Sequence, residues 1–302
     1  MENKEKNLIR KIEELKKKKN AVILVHNYQR PEIYEVADYI GDSLGLSKKA
    51  AETDKDIIVF CGVKFMAETA KILNPKKIVL LPAIDAGCPM AEMITVKQLK
   101  EFKKQHPGAA VVAYVNTNAN IKAESDACCT SGNAVELVNS MKENEILFIP
   151  DKNLGAYVQT KTNKKIIPWQ GYCHVHQNIS PEKAKLAKEQ NPKAKLIMHP
   201  ECPAEVLKYA DEICSTEKMV KFAKENKNKQ IILATEIDMI NRLIKENPEN
   251  KYYSIGGTCP NMKKTTLKKV YEALEKNQYE INVPENIRIK ASKALNKMIS
   301  VG

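Results

Sequence analysis

The chain has 302 residues, enough for two or three ordinary domains, and 43% hydrophobic residues give it material for a core. Its net charge of +12 raises nucleic-acid binding, but only Arg10, Arg30, Arg242 and Arg288 of the 49 basic residues are arginine. The lysines sit beside glutamates along helical segments, so a solvated lysine-rich surface is expected, with no nucleic-acid partner.

Residues 1–20 are charged and lack the apolar core of a signal peptide, and no apolar run approaches bilayer length. A cytoplasmic protein without a membrane partner is expected. In that setting eight cysteines are metal-binding, catalytic or buried rather than disulfide-bonded.

Leu8, Ile9, Ile12 and Leu15 recur at helical spacing within residues 4–19, which predicts an amphipathic N-terminal helix. Ala21-Val22-Ile23-Leu24-Val25 reads as a buried strand, with His26, Asn27 and Tyr28 at its C-terminal end. Short apolar runs then alternate with helical segments, as in parallel βα units.

The alternation repeats. Gln105-His106-Pro107-Gly108-Ala109 matches Gln190-Asn191-Pro192-Lys193-Ala194 at an offset of 85. Ile146-Leu147-Phe148-Ile149 matches Ile231-Ile232-Leu233-Ala234 at the same offset, and His26, Tyr28 and Ser43 match Tyr114, Asn116 and Ser131 at 88. A constant offset over many landmarks marks an internal repeat. The expected fold is α/β: three homologous small αβα domains with short parallel sheets, in a pseudo-threefold arrangement around a common centre. The expected boundaries are an N-terminal helix 1–20, repeats 21–107, 108–192 and 193–280, and a C-terminal helix 281–302. Ile287, Ala291, Ala294, Leu295 and Met298 form the apolar face of that last helix, which is expected to pack beside the N-terminal one.

Ligands of parallel α/β sheets bind beyond the C-terminal ends of the strands. The first strand of each repeat ends in His26-x-Tyr28, Tyr114-x-Asn116 and His199-x-Glu201. Three pairs of proton-handling side chains at equivalent positions predict one shared cavity. Gly41-Asp42-Ser43, Thr130-Ser131-Gly132 and Ser215-Thr216 each open a helical segment; they suit N-caps, and the same places can hold an anion.

The sharpest signal is Gly171-Tyr172-Cys173-His174-Val175-His176. Cys88 lies 85 residues before Cys173 and Cys259 lies 86 after it, each behind a small-residue turn and ahead of a helical segment. Such spacing is not that of a zinc finger. Three convergent thiolates suit either a [4Fe–4S] cluster with one open iron or a Cys₃ zinc site, and spacing does not separate the two. Cys128 and Cys129 are adjacent and cannot easily serve one tetrahedral ion together, and Cys61, Cys202 and Cys214, read as lacking repeat-equivalent partners, are expected to be buried small hydrophobes.

Taken together the motifs resemble those of the quinolinate synthase family. The match includes His26-Asn27-Tyr28-Gln29, Cys128-Cys129-Thr130-Ser131-Gly132-Asn133-Ala134 and Pro150-Asp151-Lys152-Asn153-Leu154-Gly155. It continues through Gly171–His176, His199-Pro200-Glu201-Cys202 and Gly257-Thr258-Cys259-Pro260-Asn261-Met262-Lys263. The resemblance implies three α/β domains about a central cluster and a reaction of de novo NAD biosynthesis. In it iminoaspartate and dihydroxyacetone phosphate give quinolinate, phosphate and water. It makes Cys88, Cys173 and Cys259 ligands of a [4Fe–4S] cluster whose fourth iron is open to water or substrate and acts as a Lewis acid. It makes Glu201 the general base, with His26, Tyr28 and Tyr114 orienting intermediates or moving protons. Asn116, His176 and His199 would bind substrate, and Ser43, Ser131, Gly132 and Thr216 would hold phosphate or a carboxylate. L-aspartate oxidase or aspartate dehydrogenase would supply the imine. Two rival readings follow: a diphthamide-synthesis-like [4Fe–4S] enzyme cleaving S-adenosylmethionine, and an iron–sulfur sensor binding nucleic acid.

Overall fold

The computed structural model describes residues 2–301. It holds three four-stranded sheets, all parallel. The first contains β1 (Ala21–His26), β2 (Tyr39–Gly41), β3 (Ile57–Cys61) and β4 (Ile78–Leu80). The second contains β5 (Ala110–Tyr114), β6 (Ala127–Cys129), β7 (Glu145–Ile149) and β8 (Lys165–Pro168). The third contains β9 (Lys195–Met198), β10 (Glu212–Ile213), β11 (Gln230–Ala234) and β12 (Lys251–Ser254). The spatial orders are β2-β1-β3-β4, β6-β5-β7-β8 and β10-β9-β11-β12, one topology three times over. This is the α/β architecture of three small units that the offsets predict.

The central strands are β-branched and apolar because helices cover both faces of each sheet, and every residue of β1, β3 and β5 is buried. One polar clamp recurs beside them. Asp38, Asp126 and Asp211 each accept the backbone N–H of a central-strand residue, Ile23, Val111 and Leu196, at 2.8 Å. Each aspartate's own N–H returns to the carbonyl of the same strand residue, at 3.0, 2.9 and 2.8 Å. The reciprocal pair pins the edge strand before it is long enough to hold itself: β10 has only two residues.

The apolar core is not divided evenly. One cluster joins the first two sheets to the C-terminal helix, whereas the third sheet packs separate layers on its two faces. The N-terminal helix, Glu2–Lys18, sends Ile12 into the far face of the first sheet.

The last helix, Glu285–Ser300, does not lie beside the N-terminal one, contrary to the sequence expectation. It packs on the short helix Ala119–Ala123, on β6 and on helix Lys64–Leu73, bridging the first two repeats. The N-terminal helix is partnered instead by helix Leu267–Lys276, whose Leu267, Val270 and Leu274 share its cluster with Ile12. Ala291 and Ala294 let the last helix approach closely, and Asn133 donates to the carbonyls of Met298 and Val301 at 2.9 and 2.6 Å, fixing its end.

Candidate active site

The three central strands end around one cavity, which encloses about 750 Å³ of space, part of it open to solvent. Every candidate residue from the sequence lines it except Gly132, which faces a neighbouring groove and commits its N–H to Thr130 Oγ1 at 3.2 Å.

The strand-end pairs repeat in geometry as well as in position. The Tyr28 N–H donates to His26 Nδ1 at 3.2 Å, and the Glu201 N–H donates to His199 Nδ1 at 3.3 Å. A neutral imidazole that accepts at Nδ1 carries its proton at Nε2, so both rings present an N–H donor away from their own turns. His199 directs it at Ser131 Oγ, 3.1 Å away. Burial holds His26 down at about 3, helped by the Lys263 charge. Burial likewise holds His199 at about 3, against the pull of Glu201. Both are therefore uncharged donors near neutrality.

Glu201 is the charged centre of the cavity and is 3% exposed. Burial opposes its ionisation, but His176 and His199, with the Tyr114 hydroxyl, outweigh it and hold the carboxyl at about 2. Its Oε2 lies 2.6 Å from His176 Nδ1 and 3.4 Å from His199 Nδ1, and the two imidazoles stack with centroids 4.6 Å apart. Burial, reinforced by the Glu201 charge, keeps the Tyr28 and Tyr114 hydroxyls protonated. Among the described residues Glu201 Oε1 and Asn116 Oδ1 have no hydrogen-bond partner, so the cavity holds acceptors without a protein donor.

The hydroxyl positions differ from the capping expectation. Asp42, not Ser43, caps helix Ser43–Glu52, accepting from the Gly45 N–H. Helix Ala134–Ser140 starts after Asn133, beyond Ser131, and Thr216 is the first residue of helix Thr216–Glu225 rather than its cap. Adjacent Ser, Thr and Asp residues all suit a cap, and sequence does not fix which one sits there. The consequence is functional: Ser43, Ser131 and Thr216 line the cavity without capping a helix.

Cys88, Cys173 and Cys259 come from the three repeats to the same cavity, each half-buried, while the other five cysteines are buried elsewhere. Each precedes a short helical turn, Pro89–Glu92, His174–Gln177 and, after a brief loop, Met262–Lys264. Burial pushes Cys88 up to about 12, against the backbone N–H groups of Ala91 and Met90 that face its sulfur. Burial raises Cys173 and Cys259 as well, against N–H groups of His176 and of Met262 and Asn261. Such thiols stay protonated in water and lose their protons when a cation coordinates the sulfur. Cys173, His176 and Glu201 bring one ligand atom each within 4.8 Å of one another.

Two glycines let the loops come this close. A Cβ on Gly171 would sit 2.5 Å from the Pro150 carbonyl oxygen, and one on Gly256 would sit 1.4 Å from that of Thr235.

Sequence reasoning missed Asp151, Thr235 and Glu236. Thr235 Oγ1 joins His176 Nε2 at 2.9 Å to the Tyr28 hydroxyl at 2.6 Å. Asp151 and Glu236 stand 85 residues apart, the offset of the other landmarks, so the repeat itself held the signal.

The family model for quinolinate synthetase A protein matches residues 10–300. The quinolinate synthase 1 of Methanosarcina acetivorans is 52% identical over 296 residues, 97% of either chain. The quinolinate synthase of Alkaliphilus metalliredigens is 52% identical over 300 residues, 98% of this chain and 99% of that one. That of Dehalococcoides mccartyi strain CBDB1 is 53% identical over 293 residues, 96% and 97% of the two chains. The chain therefore belongs to the quinolinate synthetase A family, and it is an enzyme of that type.

Proposed function

We propose that the enzyme condenses iminoaspartate with dihydroxyacetone phosphate to quinolinate, releasing phosphate and two waters, as a step toward NAD in the cytoplasm. The observation that carries this reading is the meeting of three half-buried cysteines, one per repeat, with the buried carboxylate Glu201 in one cavity.

The donor set fits a [4Fe–4S] cluster. Three cysteine sulfurs face the cavity, and no fourth cysteine of the described residues lines it, which leaves one iron free of thiolate. Cys88, Cys173 and Cys259 would hold the cluster. When bound, it supplies a Lewis acid for the oxygen that leaves as water.

The chain's own residues supply the rest. The neutral His26 and His199 donate from Nε2 to substrate oxygens. Ser43, Ser131 and Thr216 offer hydroxyls to the phosphate or a carboxylate, and Asn116 Oδ1 accepts from the imine nitrogen. Glu201 removes the carbon-bound proton that each dehydration requires. From Glu201 the proton has a path through His176 and Thr235 to Tyr28. The substrate imine would come from an aspartate oxidase or dehydrogenase.

The test is anaerobic product analysis with iminoaspartate and dihydroxyacetone phosphate on iron-replete protein. Equimolar quinolinate and phosphate are expected, with no dependence on S-adenosylmethionine. Absence of quinolinate from a sample with a full iron and sulfide count overturns the reading.

A further inference from the structure

Behind the three cysteines runs a backbone bond repeated three times. The Lys64 N–H donates to the Ala86 carbonyl at 2.8 Å, Lys152 to Gly171 at 2.8 Å, and Ile237 to Gly257 at 3.0 Å. Each acceptor lies two residues before a cysteine, and each donor follows the end of β3, β7 or β11. The residue just ahead of each donor is Val63, Asp151 or Glu236. Asp151 and Glu236 are 0% and 1% exposed.

The two carboxylates make the same pair of bonds. Asp151 Oδ2 accepts the Cys173 N–H at 3.1 Å, and its Oδ1 accepts the Leu154 N–H at 2.7 Å. Glu236 Oε1 accepts the Cys259 N–H at 3.1 Å, and its Oε2 accepts the Asp238 N–H at 2.9 Å. Each therefore ties a strand end, the turn after it and a cysteine loop through one side chain. Glu236 Oε1 also lies 2.9 Å from Lys263 Nζ, which reaches Asp238 Oδ2 and the Tyr28 carbonyl, both at 2.5 Å. The first repeat has Val63 in this place, which offers no acceptor.

We infer that Asp151 and Glu236 are positioning residues that set the backbone of Cys173 and Cys259, leaving the Cys88 loop as the less constrained arm of the site. The inference rests on the reading of these cysteines as cluster ligands. A buried carboxylate suits the task because it has two acceptor oxygens and makes charge-assisted bonds to N–H groups. Groups outside the ligand shell that orient ligands commonly govern metal retention.

The experiment has an arm without metal. In wild-type apoprotein, hydrogen exchange at the Cys173 and Cys259 amides should be at least about tenfold slower than at Cys88. Asp151→Asn and Glu236→Gln keep an oxygen acceptor and should preserve that protection; the similarly sized Asp151→Leu and Glu236→Met should lose it. In the second arm the same proteins are reconstituted anaerobically, and iron release to a ferrous chelator is timed. Release should speed by about tenfold or more in the Leu and Met variants and by much less in the Asn and Gln variants. Equal exchange at all three cysteines in the wild type overturns the inference without needing any variant to fold. Amide variants that behave like the apolar ones overturn it as well. A wild type that takes up no cluster, with its exchange pattern as expected, sinks the cluster reading and leaves the hold on the two loops standing.

Discussion

The Tyr28 hydroxyl sits 2.6 Å from Thr235 Oγ1, and on its other side Thr235 lies 2.9 Å from His176 Nε2. With His176 Nδ1 2.6 Å from Glu201 Oε2, four side chains from all three repeats form one line of polar contacts. Thr235→Val keeps the shape and removes the link. The buried His176 Nε2 and the partly buried Tyr28 hydroxyl are then left unpaired, at a cost to stability of about 1–3 kcal/mol. Turnover should fall by roughly 10- to 100-fold while iron content stays at the wild-type level, and turnover per cluster measures it.

Among the described residues Glu201 is the one carboxylate within ion-pair distance of both His176 and His199, and Glu201→Gln removes it. The fold and the cluster should survive, since the Cys173 and Cys259 loops are tied elsewhere. Quinolinate formation should drop by at least about a hundredfold, because the proton acceptor is gone. Near-normal turnover in an iron-replete sample would remove Glu201 from the role of base.

The parts of this arrangement that could be read from sequence are those the repeat multiplies. His26, Tyr114 and His199 stood out because the repeat offsets of 88 and 85 linked them, and the cysteines because an interval of 85 or 86 recurred. Asp151 and Glu236 obeyed the same offset but looked ordinary, since an acid ahead of a helix reads as a cap; Asp151 does cap its helix while its second oxygen holds Cys173. The cap at Asp42 was displaced by one residue because Asp42 and Ser43 both suit the position. For the last helix, the stripe Ala291–Met298 told that a face is buried, not against what. That depended on helix Leu267–Lys276 occupying the face beside Ile12, a long-range competition that no local pattern records.

His26 gives the stability a defined pH response. Its folded pKa, about 3, lies below the ordinary 6.5 because burial and the Lys263 charge disfavour the proton. Between those values the unfolded chain binds a proton that the folded one refuses, so stability falls as pH drops from 6.5 toward 3 and is unaffected above. At pH 5 the loss is about 2 kcal/mol for this one residue. His26→Gln should flatten the acid limb of the unfolding midpoint plotted against pH by that amount. An unchanged slope would mean that His26 is protonated in the folded state.

Because neither Ser43 nor Ser131 caps its helix, their hydroxyls can be removed without a capping penalty. Ser43→Ala should leave the unfolding midpoint nearly unchanged, Ser131→Ala should lower stability by about 1 kcal/mol through the lost acceptor of His199 Nε2, and both should raise the KM for dihydroxyacetone phosphate more than that for iminoaspartate. Asp42→Ala should do the reverse of Ser43→Ala, lowering stability by about 1 kcal/mol through the lost bond to the Gly45 N–H. Unchanged KM for the phosphate substrate in both serine variants would place the anion elsewhere in the cavity.

The cysteines divide into two groups by burial, and the division predicts which of them matter for iron. Cys88, Cys173 and Cys259 are half-buried at one cavity; Cys61, Cys128, Cys129 and Cys202 are 0% exposed and Cys214 is 7% exposed, packed in apolar clusters. Serine at any of the first three should reduce or abolish the cluster and with it the activity. Serine at the other five buries a hydroxyl in place of a thiol, which costs stability, about 1–3 kcal/mol where it finds no partner, but leaves the iron count intact. With three cysteines lining the cavity among the described residues, one iron should lack a thiolate, and a ligand bearing a carboxylate beside a nitrogen or oxygen should perturb that iron alone. Anaerobic iron and sulfide counts with Mössbauer spectra on the eight single variants test both statements. Loss of the cluster from a different set of cysteines, or four equivalent irons that ignore the ligand, would show that the three convergent thiols hold something else.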